Sequence, residues 1–170
     1  MSTEETKILV AEKERQCLLH KIGGLFTKIV EENKSLKGIE ENSDEFQGIK
    51  VPKIQVHEYI LRLSYYFKFE KSTIIIAIIY MDRFCLKNQV KIKYQNFYRL
   101  FLTAIVLAIK YNEDVLFKNL VYSRIGGVSI KNLNNLEALF CEKIDYLLYV
   151  SYKEYDCYLR HLNGFSQYHD

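Results

Sequence analysis

The stretch NFYRLFLTAIVLAIKYN, residues 96–112, carries only one charge between Phe97 and Ile109, that of Arg99. On a helical wheel its apolar residues fall on every side. Phe97, Leu100, Phe101, Ala104, Ala108 and Tyr111 mark one side, and Leu102, Ile105, Val106 and Ile109 mark the other. A helix that is apolar all round has to be buried in protein or lipid. At about 1.5 Å per residue it reaches roughly 25 Å, and it falls short of the ~20 apolar residues that a bilayer crossing needs. The stretch therefore predicts the central helix of a soluble domain, with other helices wrapped around it. It surfaces abruptly in Lys110, Asn112, Glu113 and Asp114, and that emergence is the first place to look for function.

Working outward, the flanking segments read as helices too. Residues 4–31 place Ile8, Ala11, Leu18, Ile22, Leu25 and Ile29 at helical spacing, with Gly23-Gly24 weakening the middle. The polar run 34–50, with Gly38, Asn42, Ser43, Asp44 and Gly48, predicts a loop, mobile or draped over the surface. Pro52 precedes a helix at 56–67 with Val56, Tyr59, Ile60, Leu63 and Phe67 as its stripe. Ser72 offers an N-cap for a buried helix over 73–86, which closes on Asp82 and Arg83, read as a structural ion pair at a helix end. Its β-branched IIIAII run also suits a strand, but length and the absence of turn signals decide for a helix.

Beyond the central helix, a short segment at 116–125 is broken by Gly126-Gly127, which suit a left-handed stop. Ser129 can cap a long helix over 130–148 with Leu133, Leu136, Phe140, Ile144 and Leu147 inward. Ser151 and Glu154 form a capping box for a last helix that buries Tyr155, Tyr158, Leu159 and Leu162 and ends at Gly164. The sum is an all-α bundle of six or seven helices. With 170 residues, 49% hydrophobic and 26% charged, it is most simply one domain with a substantial core.

The net charge of +3 is too mild to imply nucleic acid or an anionic membrane by itself. Four cysteines without CxxC spacing, and a first thirty residues laced with Glu and Lys, predict reduced thiols in an intracellular protein of the cytoplasm or nucleus. Cys17 with His20, and Cys157 with His161, are ligand pairs without a second pair, so no metal is expected. No GxGxxG, Walker loop, nucleophile elbow or HExxH occurs, and nothing forces the pKa values of the Glu113-Asp114 pair apart. No cofactor, no small-molecule substrate and no enzymatic activity are expected. The protein is expected to work through its surface.

Several stretches, taken in order, resemble the cyclins, and among them the P/U-type cyclins that partner phosphate-sensing kinases. The matching segments are VPKIQVHEYILRLSYYFK, IIYMDRFC, FLTAIVLAIKYNED and YSRIGGVSIKNLNNLEALFCEKIDYLLYVSYKEYDCYL. The resemblance implies a single cyclin box, five helices with the third at the centre, over residues 51–150. Residues 1–50 and 151–170 would then be an N-terminal flanking helix and loop and a C-terminal flanking helix and tail. It further implies a regulatory subunit that binds and activates a cyclin-dependent protein kinase by positioning its C-helix. In the family a lysine ending the third helix and a glutamate early in the fifth grip the kinase; they match Lys110 and Glu137 here. Helical spacing puts Glu137, Cys141 and Leu148 on one face, and Tyr111 and Tyr146 are further candidates for the same groove.

Each of these residues also has a plainer reading. Lysine in a last helical turn is favoured by the helix dipole alone, by ~0.3–1 kcal/mol, and Glu137 could be ordinary helix surface paired to a nearby lysine. The substrate-docking MRAIL-type sequence of cell-cycle cyclins is replaced here by VPKIQVHEY, so that docking function is not implied. The arginine that pairs with the YMDRF aspartate in those cyclins has no obvious match, which leaves the partner of Asp82 open. The alternative is a helical transcription or nucleic-acid adaptor, since general transcription factor IIB uses the same box. That reading calls for a basic face and usually two repeats.

Overall fold

The computed structural model describes residues 3–36 and 44–164, and these form seven helices, with no strand among the described residues. They are α1 (Thr3–Glu32), α2 (Val56–Phe67), α3 (Lys71–Asn88), α4 (Tyr94–Asn112), α5 (Asn119–Gly126), α6 (Ile130–Lys143) and α7 (Tyr152–Gly164). No helix among them is long and apolar enough to cross a membrane.

As its composition requires, α4 is the axis. Every residue from Asn96 to Ile109 except Arg99 is buried. Neighbours reach it from all directions. Phe26 of α1 packs on Phe97 and Phe101, with ring centroids 5.2 and 6.0 Å apart. Tyr59 of α2 meets Tyr98 edge to face at 5.1 Å, and α3 and α6 lie alongside. At the end of α5, a Cβ on Gly126 would come within 2.4 Å of the Leu102 side chain, so only glycine allows that approach. Gly127 then takes φ +76°, the left-handed stop that the glycine pair predicts. The start of α4 lies two residues before Asn96: the Lys93 N–H donates to Asn96 Oδ1 at 2.8 Å.

Four details depart from the sequence reading. The inward face of α1 is Leu18, Leu19, Ile22, Phe26 and Val30; Ile8 is 64% exposed and Ala11 is also exposed, because α1 begins well before the body it packs on. α1 runs without interruption through Gly23-Gly24, and Gly23 faces His57, whose Cβ an added methyl would meet at 2.8 Å. The cap of α3 is tertiary: Ser72 lies inside the helix, Glu70 is the N-cap, and Glu113 Oε1 accepts from the Glu70 N–H (2.9 Å) and from Thr73 Oγ1. α6 ends at Lys143, so Leu147 is 60% exposed instead of lying in the core.

Within the loop of residues 34–50, Gly38, Asn42 and Ser43 lie outside the described residues. Phe46 anchors its far end, fully buried against Phe84 and Phe140 at centroid distances of 5.0 and 6.0 Å. The adjacent Glu45 carbonyl accepts from Arg99 at 3.1 Å, so the lone charge on the first part of α4 is spent holding this loop.

The two neighbouring glycines of α1 give opposite expectations. Gly24 is exposed with nothing within 4 Å of an added Cβ, so Gly24→Ala should stabilise by about 0.5–1 kcal/mol through helix propensity. Gly23→Ala should destabilise by about 1–3 kcal/mol, through overpacking against α2. Thermal denaturation of the two variants checks the signs.

Candidate functional site

The site forms where α4 leaves the core. Lys110 sits in the last turn of α4 and Tyr111 follows it, 52% exposed. Across from them, Glu137 lies in the second turn of α6. The Lys110 ammonium donates to Glu137 Oε1 at 2.6 Å, and Asn119, the first residue of α5, donates through Nδ2 to Glu137 Oε2 at 2.6 Å. The Lys110 side chain retains 32% exposure and that of Glu137 only 12%. Cys141, one turn beyond Glu137, is half-buried; burial pushes its thiol up, Glu137 adds to the shift and Lys110 opposes it. Its side chain packs against the core.

Tyr146 and Leu148 enter the site by a different route from the helical face that the spacing suggests. α6 ends at Lys143, so position 148 has no helical register with Glu137. Asp145 and Tyr146 both take left-handed conformations, φ +54° and +57°, though neither is glycine. Each such residue costs about 1–2 kcal/mol. The chain turns back on itself there: the Tyr146 N–H bonds to the Cys141 carbonyl (2.8 Å) and the Leu148 N–H to the Tyr146 carbonyl (2.9 Å).

One face of α3 holds this strained turn in place. Tyr80, Arg83 and Lys87 recur at helical spacing, with Asn88 beside them. Tyr80 Oη donates to the Leu148 carbonyl at 2.6 Å, Arg83 Nη1 to the Leu147 carbonyl at 2.6 Å, and Arg83 Nη2 to the Tyr149 carbonyl at 3.0 Å. Asn88 donates to the Lys143 carbonyl at 3.2 Å, and Lys87 forms an ion pair with Asp145. Tyr80 also links the turn to α4. Burial pushes its phenol up to about 12, a hydrogen bond with Asn112 pulls the other way, and Tyr111 and Cys141 are close enough to bear on it. Five of the six expected site residues thus border one region: Lys110, Glu137, Cys141 and Tyr111 directly, and Leu148 through Tyr80. Tyr146, 69% exposed, is tied to it by its backbone bond to Cys141.

The expected Asp82–Arg83 ion pair is corrected. Arg83 pairs with Glu154 of α7 at 2.7 Å, and Asp82 accepts from Tyr158 Oη at 2.8 Å. Tyr158 is therefore the partner the sequence left open. Burial pushes the Asp82 carboxyl up, and the Tyr158 hydrogen bond opposes it. Both residues fasten α3 to α7, whose first turn is capped by Ser151 Oγ accepting from the Glu154 N–H at 3.2 Å.

Asn119, Tyr80 and Arg83 are the contributors that sequence reasoning passed over. The spacing 80, 83, 87 puts Tyr80, Arg83 and Lys87 on one side of α3, a polar stripe that could have flagged two of them. Asn119 carries no such signal. Among the described residues no group of three or more His, Cys, Asp or Glu side chains could hold a metal ion. The arrangement is a charged pair beside a turn that exposes Leu147 and Tyr149, with Tyr111 exposed next to Lys110, a composition suited to protein contacts.

Residues 18–148 match the cyclin family. This chain belongs to it. Cyclin-U2-1 of Arabidopsis thaliana is 35% identical over 118 residues, covering 69% of this chain and 53% of its own length. Cyclin-U1-1 of the same plant is 29% identical over 154 residues, 88% of this chain and 73% of its own. Cyclin-P3-1 of Oryza sativa subsp. japonica is 30% identical over 120 residues, 71% and 51% respectively. The chain thus spans about half the length of Cyclin-U2-1 and of Cyclin-P3-1. These names agree with the P/U-type resemblance. Cyclins are non-catalytic regulatory subunits.

Arg83 spreads one guanidinium over two carbonyls and a carboxylate, which a lysine's point charge cannot reproduce. Arg83→Lys should lower the local opening free energy of the turn by about 1–2 kcal/mol, speeding amide exchange at Tyr146 and Leu148 roughly tenfold. Amides at the centre of α4 should be unaffected. Hydrogen exchange read residue by residue by NMR checks both halves.

Proposed function

We propose that this chain binds and activates a cyclin-dependent protein kinase by holding its C-helix in the groove between α4 and α6. A kinase needs its C-helix glutamate brought to the β3 lysine, and a partner that fixes that helix selects the active arrangement. Residues 51–150 would serve as the cyclin box, with 1–50 and 151–170 flanking it, and the complex would work in the cytoplasm, the nucleus or both.

The observation that carries this reading is the Lys110–Glu137 pair, 2.6 Å apart where α4 emerges beside exposed Tyr111. An ammonium there can donate to the carbonyls that end a partner helix, and a carboxylate can accept backbone N–H groups. Tyr111, Tyr146, Cys141 and Leu148 supply contact area around these polar points.

A single charge reversal would set like charges face to face in a half-buried position and confuse folding with binding. The double variant Lys110→Glu with Glu137→Lys restores an internal ion pair and inverts the clamp. It should fold with a melting temperature near that of the unaltered chain and lose affinity for the kinase by at least about a hundredfold. The kinase is first recovered by co-purification from the source cells and assayed on a generic substrate. Binding unchanged in the double variant would overturn the site assignment; recovery of a transcription complex without a kinase would overturn the function.

A further inference from the structure

Resting on the kinase-binding reading above, we propose that Asn119 is a positioning residue: through Glu137 it aims Lys110, which makes the direct contact to the partner. The two charged groups are not equivalent in this chain. Glu137 is nearly covered, and both of its oxygens are occupied from within, Oε1 by Lys110 and Oε2 by Asn119. Lys110 is more exposed, and Glu137 takes one of its three ammonium hydrogens, leaving two to donate outward.

Asn119 is well placed to fix this geometry. It opens α5, so its backbone is set by the helix, and its planar amide spends both Nδ2 hydrogens on α6. One bond goes to Asn134 Oδ1 at 2.6 Å and the other to Glu137 Oε2 at 2.6 Å, acceptors three residues apart on one face. With Oε2 held, the carboxylate cannot swing about its last torsion, and Oε1 stays aimed at α4. A lysine stem otherwise samples many rotamers and would have to be ordered when the partner arrives. Here the ordering is done within the free protein.

The test is a double-mutant cycle in the full chain, with the cyclin-dependent kinase isolated on the immobilised wild-type chain as the probe. Lys110→Ala should weaken binding strongly and Asn119→Ala by about tenfold, while Asn119→Ala should change nothing once Lys110→Ala is present. In the free chain, the ¹⁵N signal of the Lys110 ammonium should be ordered in the wild type and as mobile as surface lysines in Asn119→Ala, a readout independent of any partner. If Asn119→Ala adds fully to Lys110→Ala, or leaves the ammonium ordered, the positioning role is wrong although the site survives. If Lys110→Ala binds normally, the kinase-binding site itself is wrong, and the positioning role falls with it.

Discussion

The constraint on which everything else depends is that α4 has no polar face. A helix that water cannot solvate on any side must be enclosed, and α1, α2, α3, α5 and α6 all contribute side chains or a bare glycine to its surface. Its far end surfaces in polar groups, and two other helices, α3 and α6, converge there. Glu113 caps α3, Lys110 reaches α6, and Asn112 bonds Tyr80. The candidate site is the polar exit of a buried rod, and its rigidity is inherited from the core.

The second organising feature is the strained turn after α6. Two consecutive left-handed residues, neither of them glycine, oppose the local preference of the chain, and they persist because α3 donates to the carbonyls of Lys143, Leu147, Leu148 and Tyr149. The result is a short irregular segment that displays Tyr146, Leu147 and Tyr149 while its backbone is held from beneath. Such an arrangement offers large side chains to a partner without first having to order the backbone that carries them.

How much of this was legible depended on whether a feature is local. The centrality of α4 was visible because apolar residues on all sides of a wheel permit few alternatives. The bounds of α2 and the stop at Gly127 were visible because side-chain periodicity and glycine's freedom act over a few residues. The end of α6 was missed because Ile144, Leu147 and Leu148 continue the apolar period, and only the tertiary bonds from Tyr80 and Arg83 turn the chain away from it. The cap of α3 by Glu113 and the bond from Tyr158 to Asp82 span 43 and 76 residues, beyond the reach of any spacing rule. At the site, Lys110 and Glu137 came through resemblance to a family, whereas Asn119 belongs to no pattern and became visible only once α5 lay against α6.

The claim that the exit of α4 and the turn after α6 form one kinase-facing surface is tested most directly by photo-cross-linking in the intact complex. A photoreactive phenylalanine analogue replaces Tyr111, Tyr146 or, as a control on the outer side of α2, Tyr65. Cross-links from positions 111 and 146 into the kinase C-helix, with none from 65, are the predicted result. An active complex that cross-links only from position 65 would contradict it.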